Sequence, residues 1–388
     1  MAMNFFTKTD SNSEARQPAL DFLRGLAILS VVAFHSAGYF EPGVYVISSV
    51  LSLGFQGVEL FFVVSAITMC YMWNLRTDES YPKLKFYIRR IFRIAPPFWV
   101  AIAGYLLLGH LQSDPPPNIS QIVTSLLFVS AFWPSTINTV VPGSWSIVNE
   151  MVFYIFFPLL ISQIRFRAIY YVVLAFVMYL FNFIVVETGY NSLLKAYSES
   201  YTFNGFEFYQ FFNQAPLFLL GIFLYMGANS LSRRRDLVIG GAIGAAWIGL
   251  AYTLKNFYGW SSEPYFWLSN FLLLAIVLMT LEFNIAWKPI NRLGQLSYPI
   301  YLVHFALLDL VGWCFLHAGV NRQGLLAFVI GFATTLALCW GLGAILESTL
   351  GQASSRLGKR LIALLANRPF AAIESSPVVD LEKTDTVT

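Results

Sequence analysis

Runs of 18 or more mostly apolar residues recur along the chain between Ala19 and Glu347. At about 1.5 Å per residue, each covers the roughly 30 Å of a bilayer's hydrocarbon and so predicts a spanning helix. The runs lie at 19–37, 47–72, 94–111, 145–163, 168–186, 208–228, 236–254, 264–282, 298–317 and 324–347. One further run, Ser120 to Trp133, sits between Pro115-Pro116-Pro117 and Pro142-Gly143 and is too short to cross. It predicts a re-entrant or interfacial segment. The pattern as a whole predicts an all-α integral membrane protein, a bundle of about ten transmembrane helices with a short non-crossing segment near 120–133.

Composition agrees with a chain solvated by lipid. Of its 388 residues, 57% are hydrophobic and 12% charged, against about a quarter charged in a soluble domain. A net charge of +3 is too small to imply a nucleic-acid partner. The basic residues sort by side of the membrane instead. With an inner N-terminus, Lys195, Lys255 and Arg322 are the only Lys or Arg in outer loops. Arg76, Lys83, Lys85, Arg89, Arg90, Arg93, Arg165, Arg167, Arg233 to Arg235, Lys288 and Arg292 all fall inside, as the positive-inside rule requires. Both termini are therefore expected in the cytoplasm, with a cytoplasmic N-terminal segment over 1–18, a transmembrane domain over 19–350 and a cytoplasmic polar tail over 351–388. Apolar periodicity is lost from about Asn367. Asp10 and Glu14 precede the first apolar run, and Asp21 and Arg24 interrupt its start. A cleaved signal is not built that way, so the run is expected to be a retained helix. Cys70, Cys314 and Cys339 stand singly in apolar runs, and no metal site or disulfide framework is expected.

An ionisable group inside a membrane helix is costly unless it is paired or faces a cavity, so each marks a candidate site. Arg24 and His35 are eleven positions apart on the first span. Eleven steps of about 100° return to within about 20° of one face, with His35 about 16 Å nearer the outside. Taken singly, Arg24 reads equally as a snorkelling cation and His35 as a satisfied core residue. Glu150 enters from the outer side, five residues into the run at 145–163. Counted that way it reaches the depth of His35, where a carboxylate orients an imidazole and favours its protonated form. Capping in the outer headgroup layer is the alternative. Arg89, Arg90 and Arg93 precede the third span, with Arg90 and Arg93 on one helical face. Guanidinium groups bind phosphate bidentately, so this cluster is a candidate cofactor mouth on the cytoplasmic side, or else a lipid contact. Ser297, Tyr301 and His304 recur at helical spacing on the ninth span and are candidates for lining the same cavity. Interfacial anchoring explains Tyr298 and Tyr301 equally well. His110 and His317 receive no role.

These residues fall in five stretches. Leu20-Asp21-Phe22-Leu23-Arg24-Gly25-Leu26-Ala27 leads to His35, and Gly57-Val58-Glu59-Leu60-Phe61-Phe62-Val63-Val64-Ser65 follows. Tyr87-Ile88-Arg89-Arg90-Ile91-Phe92-Arg93-Ile94-Ala95-Pro96 and Trp145-Ser146-Ile147-Val148-Asn149-Glu150 come next. Leu293-Gly294-Gln295-Leu296-Ser297-Tyr298-Pro299-Ile300-Tyr301-Leu302-Val303-His304 is the last. In this order they resemble the motifs of the acyltransferase-3 family, over Leu20 to about Leu350. Ala66 stands where that family usually has glycine, and Glu59 where aspartate is more common. Trp145 belongs to the tryptophan-serine-glutamate motif and joins the candidates for lining the cavity.

The resemblance implies that acetyl-CoA or another acyl-CoA serves as co-substrate, its phosphates near Arg90 and Arg93 with Arg24 beside them. His35 is the implied catalytic residue, served by Glu150. It also implies, as acceptor, a hydroxyl of a bacterial surface glycan or lipid-linked sugar in exopolysaccharide, capsule or O-antigen. The setting is then the bacterial inner membrane, with membrane lipid around the bundle and polysaccharide-assembly proteins as partners. Some relatives carry a hydrolase-like domain after the bundle; the length of this chain leads to the expectation of a stand-alone enzyme. The rival reading is a proton-coupled transporter of a sugar or small acid, which would also place Arg24, His35 and Glu150 within the membrane.

Overall fold

The computed structural model describes residues 17–76, 78–162, 168–182, 184–185, 206–228, 244, 247 and 263–366. Every extended element among them is helical, and an isolated bridge pairs Glu41 with Gln323. The helices are α1 (Pro18–Tyr39), α2 (Tyr45–Ser52), α3 (Gly57–Asn74), α4 (Pro82–Gln112), α5 (Ile119–Leu126), α6 (Ser144–Ser162) and α7 (Ile169–Phe181). Then come α8 (Phe206–Tyr209), α9 (Phe211–Ala228), α10 (Glu263–Glu282), α11 (Lys288–Gln295), α12 (Ser297–His317), α13 (Leu325–Leu346) and α14 (Gln352–Ala366).

Six stretches are long and apolar enough to cross a membrane: Pro18–Tyr39, Tyr45–Asn74, Pro82–Gln112, Ser144–Ser162, Ser297–His317 and Leu325–Leu365. The expected count of about ten is thus not reached among the described residues. The apolar helices Ile169–Phe181, Phe211–Gly227 and Trp267–Glu282 occupy three of the remaining predicted spans but are shorter. The predicted span at 236–254 lies outside the described residues except for Gly244 and Trp247. The outer surface of the bundle is apolar, with Leu107 60% and Leu326 74% exposed. In water such a belt would drive aggregation; in lipid it is solvated, and the chain is a multi-pass membrane protein.

The predicted run at 47–72 divides into α2, a 3₁₀ turn at Leu53–Gln56 and α3. Helix α3 is apolar nearly all round and most of its residues are buried, as a helix at the centre of a bundle should be. Helices α1 and α9 pack on it. Ala66 meets Gly221 of α9, where a Cβ would lie 2.8 Å from the Ala66 methyl. The close approach therefore takes its missing side chain from α9. Helices α1 and α11 cross backbone to backbone, since a Cβ on Gly294 would overlap the carbonyl of Asp21. That crossing sets Asp21 against Gln295, whose Nε2 donates to Asp21 Oδ2 at 3.4 Å.

Two expectations are revised around the arginine motif. Helix α4 begins at Pro82, twelve residues before the predicted span, so Arg89, Arg90 and Arg93 lie within the helix. The polar tail expected from residue 351 begins instead with α14, which docks on α4. Proline explains the docking point. Pro96 has no N–H to offer the carbonyl four residues back, and that carbonyl, of Phe92, accepts a bond from the Ser354 hydroxyl of α14. Residues 367–388 lie outside the described part of the chain. The run at 120–133 forms α5 and a 3₁₀ turn at Ser130–Phe132. The stretch after it buries Ile137, Val140 and Val141, so it enters the bundle before α6 begins.

Candidate active site

A cavity of about 240 Å³ opens among α1, α3, α4, α6, α11 and α12. Three cations converge on it, Arg24, Arg90 and Arg93, together with Glu150, Ser297 and Tyr301. Their surroundings differ. Arg24 donates to Thr68 Oγ1 at 2.6 Å and pairs with Asp21 at 3.4 Å. Arg93 is held by Glu347 at 2.5 Å. Arg90 lies over the rings of Phe86 and Tyr154, at 5.9 and 5.8 Å. Its Nε has no hydrogen-bond partner among the described residues, and no carboxylate there pairs with it. Arg89, by contrast, turns to Glu79 at 3.0 Å and does not line the cavity.

Glu150 accepts from Ser65 Oγ at 2.5 Å and from the Tyr154 hydroxyl. Two hydroxyl donors thus hold the Glu150 carboxyl on the wall of the cavity that it shares with Arg24. Beyond it the cavity is bounded by Ser146 and Tyr301. Ser146 Oγ donates to the Tyr301 hydroxyl at 2.8 Å, which donates to Gly143 O at 3.0 Å.

His35 lies past this boundary and is not among the residues lining the cavity. Its ring packs against His304 at 5.3 Å, Phe305 at 4.4 Å and Phe34 at 5.0 Å between ring centres. The expectation that Glu150 shares the depth of His35 is therefore corrected. Ser146 is level with Tyr301, Glu150 lies one turn farther toward Arg24, and His304 lies one turn the other way. At the helical rise this separates Glu150 from His35 by about 10 Å along the bundle. The physical reason is that α6 starts inside the bundle at Gly143, beside Tyr301 and Phe305, whereas α1 continues to Tyr39. Arg24 lines the cavity together with Ser297, Tyr298 and Tyr301 of α12, and His35 packs on His304 and Phe305 of the same helix, beyond the cavity.

Of the further candidates, Ser297 and Tyr301 line the cavity, whereas Trp145 and His304 do not. Trp145 stacks on Tyr209 at 4.7 Å and meets Phe62 edge-on at 6.0 Å. His304 is fully buried behind Tyr301. Sequence reasoning did not single out Asp21, Ser65, Ser146, Tyr154, Gln295 and Tyr298 as lining residues, and they complete the polar lining. Asp21, Ser65, Ser146, Gln295 and Tyr298 stand inside the quoted motif stretches, so their signal was proximity, and Tyr154 lies one helical turn from Glu150. Two intramembrane carboxylates were also passed over. Asp309 accepts from the Tyr39 hydroxyl at 2.5 Å. Glu59 is wholly buried, with neither oxygen partnered among the described residues. Among the described residues, no three His, Cys, Asp or Glu side chains gather as a metal-binding set.

A family model described as an acyltransferase domain matches residues 17–344. The chain is 24% identical over 331 aligned residues to O-acetyltransferase OatA of Staphylococcus aureus strain NCTC 8325 / PS 47, covering 76% of this chain and 51% of that protein. A protein described as putative O-acetyltransferase SACOL0978, from strain COL of the same species, is 24% identical over 328 residues with the same coverage. The chain thus spans about half the length of these relatives. No solved structure matches it.

Proposed function

The chain belongs to the acyltransferase-3 family, and from that premise we propose that it transfers an acetyl or other acyl group from cytoplasmic acyl-CoA to a hydroxyl of an extracytoplasmic or lipid-linked bacterial glycan. In this reading the bundle crosses the inner membrane about ten times, with both termini cytoplasmic and polysaccharide-assembly proteins supplying the acceptor. The observation that carries it is the cavity with Arg24, Arg90 and Arg93 toward one end of α1 and two imidazoles beyond its other end. An arginine cluster fits a phosphate-rich carrier. An imidazole fits a base for a hydroxyl nucleophile.

Acyl-CoA then places its phosphates at Arg90, with Arg24 and Arg93 flanking. The pantetheine arm runs past Glu150 toward Ser146 and Tyr301. For the thioester to meet His35, the Tyr301 hydroxyl must leave its bonds to Ser146 and Gly143. His35 takes the proton of the acceptor hydroxyl as oxygen attacks the carbonyl, the C–S bond breaks, and the departing thiolate recovers that proton. Glu150 serves the cofactor end, offsetting the arginine charge so that spent CoA can leave.

Surface glycans of a deletion strain complemented with the wild-type or His35→Ala protein provide the test, read by mass spectrometry. Acyl groups should return with the wild type alone. Return with both proteins refutes His35 as base. Return with neither, accompanied by accumulation of a solute in the deletion strain, favours a transporter.

A further inference from the structure

His304 stands beside the proposed base, in a state that its hydrogen bonding defines. Its Nδ1 lies 2.6 Å from the carbonyl oxygen of Tyr301. A carbonyl only accepts, so Nδ1 carries the proton, and in the neutral ring Nε2 keeps its lone pair. That Nε2 is buried and has no partner among the described residues, and His304 itself is 0% exposed. A buried acceptor left unmet is costly, so the position calls for a donor.

The ring neighbours narrow the choice. Phe305, at 4.2 Å between ring centres, has no polar hydrogen. Tyr301, at 5.3 Å, spends its hydroxyl proton on Gly143 O. His35, also at 5.3 Å, has a ring nitrogen to offer. From these observations we propose that His304 is a positioning residue: its Nε2 lone pair accepts the N–H of His35, directly after a small ring rotation or through one water, and so fixes the His35 tautomer. The other nitrogen of His35 is thereby held unprotonated and aimed at the acceptor hydroxyl. The pairing does for an imidazole base what an orienting carboxylate does elsewhere, and it assigns to α12 the role first expected of Glu150. This rests on the reading of His35 as base. The reaction remains balanced as written above: the hydroxyl proton passes to His35 and then to the thiolate, and His304 neither gains nor loses one.

The test uses the full chain, labelled with ¹⁵N-histidine, in lipid nanodiscs. The protein contains four histidines, so imidazole ¹⁵N signals can be assigned with single variants. In the wild type, His304 should appear as the Nδ1–H tautomer and His35 as one tautomer. In His304→Phe the His35 signal should become a tautomer mixture, and acyl transfer should fall by at least about tenfold, the lower part of what a positioned base contributes. Acetyl-CoA affinity should stay within about twofold. His304→Gln, whose side-chain oxygen can replace the lone pair, should restore a single His35 tautomer and most of the rate. A mixed His35 tautomer in the wild type overturns the proposal without any variant, which covers the case of a His304→Phe protein that does not fold. Unchanged His35 signals or an unchanged rate in His304→Phe overturn it as well. Because the tautomers are read without turnover, a wild type that transfers no acyl group from any acyl-CoA refutes the acyltransferase reading and leaves this test standing.

Discussion

Replacing Arg90 by alanine is the sharpest probe of the cavity, because its electrostatic surroundings differ from those of the other two cations. Arg24 pairs with Asp21 at 3.4 Å and Arg93 with Glu347 at 2.5 Å. Among the described residues Arg90 has no carboxylate partner and lies against the faces of Phe86 and Tyr154. A cation already paired must loosen that pair before it binds phosphate, whereas an unpaired one gives the full interaction. A charge-assisted bond contributes about 1.5–3 kcal/mol, so Arg90→Ala should weaken acetyl-CoA binding by roughly 10- to 150-fold at 1.4 kcal/mol per decade. Arg93→Ala should cost less, about tenfold or below, since only part of its charge is available. Glu347→Gln should move the other way, freeing Arg93 and tightening binding a few-fold. Calorimetry of purified protein in nanodiscs, at two salt concentrations, measures all three, and the effects should shrink at the higher salt. Arg90→Ala with unchanged affinity, in protein that remains folded and monodisperse, would refute the assignment and leave the arginines as lipid contacts.

Other outcomes follow from the same geometry. Glu150→Gln removes a negative charge from an anion cavity and should hold or tighten acetyl-CoA binding, measured by the same titration; weakened binding would contradict it. Because Glu150 and His35 are about 10 Å apart along the bundle, their effects on transfer should be close to additive in log rate. Gly294→Ala places a Cβ on the Asp21 carbonyl and should lower stability by about 1–3 kcal/mol, read as a reduced thermal midpoint in detergent. Glu59→Gln removes a buried carboxylate unpartnered among the described residues, so the thermal midpoint should hold or rise; a clear fall would reveal a bound cation or donor. Reporter fusions at Asn229 and Leu193 should give opposite sidedness if the ten-crossing arrangement holds.

Much of the fold was legible because lipid imposes one rule, that long apolar runs become helices. The runs at 19–37, 298–317 and 324–347 correspond within a few residues to α1, α12 and α13. What escaped the pattern was local. The break between α2 and α3 falls where Gly54 and Gly57 approach the backbone of α1, and apolar content does not record how close two helices come. The early start of α4 was hidden because Lys83, Lys85, Arg89, Arg90 and Arg93 depress hydropathy without opposing helix formation. The docking of α14 depended on a carbonyl freed by Pro96, a cause in one helix with its effect in another.

The site was legible in its parts but not in its pairing. The spacing from Arg24 to His35 predicts a shared face and a separation in depth, because a single straight helix carries angle and depth together, but of the two only Arg24 lines the cavity. Depth between two different helices is another matter, since each count needs its own origin. The count for Glu150 began at the outer membrane plane, but the chain before α6 descends into the bundle and buries Ile137, Val140 and Val141. Helix α6 therefore starts level with Tyr301, and every residue on it sits deeper than its number suggests. The same offset that takes Glu150 to the arginines keeps it away from His35, and so makes His304, counted along a helix that shares the direction of α1, a polar neighbour of His35.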